Sequence, residues 1–117
     1  MKYMLLYAGD EHADGIAVPP DPGPADEACA EPWLSGLAGQ VRHLTGGRLL
    51  PTSSATTVRL ATDGVLVSDG PFAETKEQIL GFDVIECASL DDAIVAASRH
   101  PVAQLGGAVE VRPFLGA

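Results

Sequence analysis

Residues 3–8, Tyr-Met-Leu-Leu-Tyr-Ala, are apolar at every position and sit almost at the start of the chain. The run is short for a secretory signal and passes into Gly-Asp-Glu-His-Ala-Asp with no cleavage-type site, so it reads as a first strand. Tyr3, Leu5 and Tyr7 then point one way and Met4, Leu6 and Ala8 the other. A strand apolar on both faces has to be covered twice. Two helices expected further along can cover one face of its sheet. A second copy of the chain is the economical cover for the other, so the pattern leads to a homodimer.

With 117 residues the chain suits a single domain, 1–117, carrying its own core. Sixteen acidic residues against seven basic ones give a formal net charge of −9, which phosphate backbones and anionic membranes repel. Nucleic acid and membrane surfaces are therefore not expected partners. No run approaches the ~20 apolar residues of a membrane span, and a cytoplasmic location is expected. Cys29 and Cys87 are far apart in a chain that needs no staple, and read as free thiols.

Residues 9–25 hold four prolines and read as a loop of lid or specificity-loop length. Its Asp10, Glu11, His12 and Asp14 match no rigid ligand spacing, so neither a metal nor a cofactor is expected. Pro32 marks the start of a helix whose apolar face is Trp33, Leu34, Leu37, Val41 and Leu44, with Gly46-Gly47 ending it. His43 falls beside that face, near the helix end. A hairpin follows, Thr57–Ala61 with Val65–Ser68, turning at Asp63-Gly64 in type I′ geometry. Residues 81–87 read as a strand in which Asp83 is out of place. Ser89 caps a second helix with buried face Leu90, Ala93, Ile94 and Ala97, and His100 at its end is explained by helix-end chemistry. Residues 108–114 alternate as the last strand. The order β, α, β-hairpin, β, α, β is the α+β ferredoxin-like split βαβ plan, with both helices on one face of an antiparallel sheet.

The densest chemistry lies in Ser68-Asp69-Gly70-Pro71-Phe72-Ala73-Glu74-Thr75-Lys76-Glu77. An aspartate at a turn commonly accepts from the N–H two residues on, but here that residue is Pro71, which has none. Asp69 therefore bonds further along the turn, or faces a cleft with a cationic partner. The type I′ register pairs Val58 with Asp69, putting the carboxylate on the face of Val58, Leu60 and Val67, with Lys76, Arg59 and Arg112 available to neutralise it.

Asp69-Gly70-Pro71-Phe72-Ala73-Glu74-Thr75-Lys76-Glu77-Gln78 followed by Gly81-Phe82 resembles the signature of the DGPF branch of the YCII-related proteins. The likeness extends to Met1–Leu6, Thr57-Val58-Arg59, Ser89–Ala93 and Val109–Phe114, leaving out the 9–25 loop and the first helix. It implies a dimeric α+β barrel, two ferredoxin-like sheets enclosing clefts. It also implies a gene-neighbourhood link to extracytoplasmic-function sigma factors, and so a regulatory role. Better-described YCII-like members pair a helix histidine with an aspartate, but Trp33, Leu34 and Leu37 occupy the equivalent stretch here, and that pair is not carried over.

Three readings of function follow. The first is an isomerase- or lyase-type enzyme acting on a small molecule, with Asp69 as general base in a cleft lined by Tyr7 and Phe72, Lys76 stabilising charge and Arg112 contributing to the ligand site. The second is a ligand-binding or regulatory module using the same cleft. In the third the signature is architectural and serves the turn alone.

Overall fold

The computed structural model describes residues 1–12, 31–37 and 39–116. Strand β1 (Lys2–Gly9) runs through the middle of a four-stranded antiparallel sheet, between β5 (Gln78–Glu86) and β6 (Ala108–Pro113). Strand β2 (Arg42–Arg48) closes the other edge against β5. The order β2-β5-β1-β6 gives an α+β fold of the ferredoxin-like kind.

Tyr3, Leu5 and Tyr7 are buried, at 4%, 0% and 4% exposure, on the face covered by helix. Helix α1 (Glu31–Ser35) and helix α2 (Leu90–Ser98) meet there, where the buried Trp33 ring donates from Nε1 to the Ala96 carbonyl at 2.8 Å. Ser89 caps α2 as expected, its Oγ accepting from the Asp92 N–H at 3.3 Å, a contact worth about 1 kcal/mol. The buried side of α2 is Ala93, Ala96 and Ala97, while Leu90 and Ile94 are half-exposed, so the expected face is rotated toward the small residues. Methyl-sized side chains let the helix lie close to the sheet. A short helix α3 (Pro101–Gln104) follows, with Pro101 at its first position and His100 as its cap. Among the described residues no helix is long and apolar enough to cross a membrane.

Two expectations are corrected. The helix read from Pro32 through Leu44 ends at Ser35, and Arg42–Arg48 is a strand. Gly36 and Gly39 weaken the helix, and the β5 edge offers backbone partners to the segment beyond them. The hairpin of strands β3 (Thr56–Ala61) and β4 (Gly64–Asp69) forms, but as a separate two-stranded sheet inserted between β2 and β5. Its two-residue turn is Thr62-Asp63, one position earlier than expected. Neither residue has positive φ, so the turn is not type I′, and Gly64 takes the positive φ of 146° instead. Val58 accordingly pairs Val67, Leu60 pairs Val65, and Thr56 pairs Asp69. Asp69 still shares a face with Val58, Leu60 and Val67, but those residues are 62%, 82% and 64% exposed. The carboxylate therefore needs no buried counter-ion.

Candidate functional site

Among the described residues, Asp83 is the one buried acid, and it lies on the covered face of the sheet. It lies opposite Leu5 on β1 and opposite Gly46 on β2, and is 8% exposed. Gly46 is what makes room: a Cβ there would overlap Asp83 Oδ1 and stand 2.6 Å from the Phe82 carbonyl oxygen. Both carboxylate oxygens are held. Tyr7, diagonal to Asp83 on β1, donates its O–H to Oδ2 at 2.5 Å. His43 lies 2.6 Å from Oδ1 through Nε2. A carboxylate only accepts, so His43 carries its proton on Nε2 and presents Nδ1 as the basic nitrogen. The β2–β5 register slips between His43 and Thr45, an irregularity of the kind that re-aims a side chain.

A second imidazole completes the cluster. His100 is buried, and its ring stacks on the Tyr7 ring at a centroid distance of 3.8 Å and an interplanar angle of 13°. The Trp33 indole meets His100 edge-on at 5.0 Å and His43 edge-on at 6.3 Å, tying both histidines to one ring. His100 Nδ1 accepts from the Val102 N–H at 3.1 Å, fixing the proton on Nε2. Burial pushes this imidazole down to about 4; the Arg48 charge works in the same direction and the Asp83 charge against it. Burial also holds the Tyr7 phenol well above its usual range, helped by its hydrogen bond to Asp83 and by that carboxylate's charge.

Chemically, Asp83 orients its neighbours, with Tyr7 donating to one of its oxygens and His43 to the other. His43, with 28% of its side chain exposed, is the group that can receive a proton from outside. Tyr7 remains a neutral donor that fixes the carboxylate.

Of the residues expected to form the site, Tyr7 is in this cluster. Asp69 ends β4 opposite Thr56 and is exposed. The turn beyond it is secured by backbone: Gly70 N–H donates to Ala55 O at 2.8 Å, and Thr57 Oγ1 donates to Gly70 O at 2.7 Å. Phe72 is 78% exposed, Lys76 is exposed, and Arg112 lies 2.5 Å from Glu110 on β6. None of these four touches the buried cluster. In the loop, Glu11 accepts from both the N–H and the Oγ1 of Thr52, at 2.9 and 2.5 Å, and Asp10 accepts from the His12 N–H. Asp14, with residues 13–25 generally, and Cys29 lie outside the described residues. Cys87 is a buried free thiol.

His43, Asp83 and His100 were missed as a group. The signal was present in Asp83, an acid embedded in an apolar strand. A buried acid implies donors facing it, and here they are Tyr7 and His43.

The chain is 52% identical over 68 residues to an uncharacterized protein of Rhizobium meliloti (strain 1021), a match covering 57% of this chain and 55% of that protein. The chain thus spans about half the length of the curated relative it matches. The YCII-related domain family matches residues 1–115, nearly the whole sequence. This chain belongs to the YCII-related domain family.

Proposed function

We propose that the protein is a small-molecule enzyme of the isomerase or lyase kind, in which His43 moves a proton and Asp83 is the buried carboxylate that orients it. The supporting observation is that buried Asp83 accepts from Tyr7 O–H and from His43 Nε2, leaving Nδ1 as the only basic atom of the pair without a hydrogen bond among the described residues. An aspartate fixing the tautomer of a partly exposed histidine is a general-base arrangement.

The test is Asp83→Asn. The amide can accept from Tyr7 through oxygen, but its nitrogen must then donate to His43, and the imidazole proton moves to Nδ1. Nitrogen-15 imidazole spectra should show His43 switching from the Nε2–H to the Nδ1–H form. Exchange of α-protons into D2O by a panel of small ketones and lactones should fall by about 10²–10⁴-fold. An unchanged tautomer and unchanged exchange would overturn the reading.

A homodimer belongs to the same proposal. A two-stranded ribbon alone is marginally stable in water, yet β3 and β4 pair only with each other and carry exposed Val58, Leu60, Val65, Leu66 and Val67. Met4, Leu6 and Ala8 on the opposite sheet face are only half-buried. A second copy would cover both surfaces. Light scattering at micromolar concentration should give about twice the chain mass, and replacing Leu60 and Val67 by serine should shift it toward the monomer. A folded monomer of the unaltered chain would sink this part.

A further inference from the structure

The His43–Asp83 pair explains how a proton leaves a substrate but not what receives the charge left behind. The second imidazole has no part in that transfer, although it is buried against the same residues. Its Nδ1 is committed to the Val102 N–H, one face lies on Tyr7, and Trp33 meets it edge-on. What remains is Nε2–H. No described residue hydrogen-bonds to it, and no fully enclosed side-chain nitrogen or oxygen among the described residues lacks a partner, so this donor opens at the edge of the cluster.

We propose that His100 donates Nε2–H to the carbonyl oxygen of a small, neutral carbonyl compound, a ketone or lactone, whose α-proton is taken by His43. This rests on the reading of His43 given above. The α C–H bond breaks, its proton goes to His43 Nδ1 and its electron pair forms a C=C bond. The carbonyl π pair moves onto oxygen, giving an enolate oxygen held by His100. Where the carbonyl compound carries a β,γ double bond the enolate is a dienolate, and return of the proton from His43 to its γ-carbon moves the double bond into conjugation, completing an isomerisation with no net change of oxidation state.

Three observations favour this use. A donor aimed at an oxygen that becomes an anion is most effective when fixed before reaction, and stacking, edge contact and the Val102 bond fix this ring. The imidazole's low affinity for a proton keeps it a neutral donor near neutral pH, so it does not form an ion pair with Asp83 before substrate arrives. The net charge of −9 disfavours ligands with localised or multiple negative charge, such as carboxylates and phosphates, and favours neutral carbonyl compounds; the single delocalised charge of a phenolate is penalised least among anions. The groups facing His100 are Tyr7 of β1, Asp83 of β5, Trp33 of α1 and the Arg48 charge of β2.

The experiment uses 4-nitrophenolate as an enolate-oxygen mimic, with the full chain and two variants. His100→Phe keeps a ring to stack on Tyr7, and His100→Asn keeps an acceptor for the Val102 N–H; both lack Nε2–H. Circular dichroism confirms folding of each. The unaltered protein should bind the phenolate with a downfield shift of the His100 Nε2–H proton. Both variants should bind it about 10-fold or more weakly, and both should lose α-proton exchange of the ketone and lactone panel by about 10²-fold or more. Weakening in only one variant assigns the effect to the stack or the cap and overturns the donor role. So does equal binding by all three proteins, or no binding by the unaltered one. Phenolate binding that depends on His100, with no α-proton exchange sensitive to His43→Gln, overturns the His43 reading while the donor stands.

Discussion

Replacing Gly46 by alanine should lower folding stability by about 2–4 kcal/mol, while the same change at Gly47 should cost less than about 1 kcal/mol. The two glycines are adjacent in β2, and neither has the positive φ that would itself exclude a side chain. The difference is space. At Gly47 a Cβ meets nothing within 4 Å, whereas at Gly46 it overlaps the Asp83 carboxylate and stands 2.6 Å from a backbone oxygen of β5. The carboxylate could turn aside only by giving up His43 and Tyr7, and burying those groups unpaired costs about 1–3 kcal/mol. The alternative is that the β2–β5 pairing opens. Denaturant unfolding of the two variants reads the cost, and the His43 ring signals show whether the pair survives. Equal costs at both positions would mean that Asp83 is not packed against β2 as described.

This contrast also shows what could be read in the sequence. Strands β1, β5 and β6 and the cap at Ser89 were legible because each rests on local patterning: a short apolar or alternating run, or a serine before a pair of acids. The apolar spacing of Trp33, Leu34, Leu37, Val41 and Leu44 fits a helical period, but Leu44 lies in the segment that pairs with β5 and Val41 immediately precedes it, and that pairing is non-local. A helix from Pro32 through Leu44 makes Gly46-Gly47 a helix stop and His43 a helix-end residue. Neither could then be placed beside Asp83. The charged stretch Asp69–Glu77 is the more conspicuous feature. Dense punctuation marked a real turn, but the hairpin leading into it is exposed, and the buried chemistry lies on the neighbouring strand. Asp83, a carboxylate with no adjacent cation in an apolar strand, was the more informative anomaly.

Acidification should uncover the cost of keeping His100 neutral. An unfolded histidine titrates near 6.5, and the folded imidazole at about 4, lowered chiefly by burial and also by the Arg48 charge. Between those values the unfolded chain binds a proton that the folded chain refuses. Stability therefore rises with pH across the window: this contribution is complete above about pH 6.5 and is lost progressively as the pH falls toward 4. The gap between the two values corresponds to about 3 kcal/mol, a large share of a small domain's stability. Carboxylates titrate over part of the same range, so the quantity to follow is the difference between the unaltered protein and His100→Asn, in which they are common to both. Denaturant unfolding at pH 7 should show His100→Asn destabilised by loss of the Tyr7 stack. By pH 4 the difference should move about 3 kcal/mol in the variant's favour, since asparagine has no proton to accept. A difference that stays constant over this range would mean that the imidazole titrates alike in the folded and unfolded chains, and His100 could not then be a fixed neutral donor beside Asp83. If the difference follows the expected course, a histidine that weakens the fold in acid stands at the centre of the cluster, where phenylalanine could also stack on Tyr7 without that cost. Phenylalanine lacks the Nδ1 acceptor for the Val102 N–H and the Nε2–H donor, and of these two only the donor has no hydrogen-bond partner among the described residues.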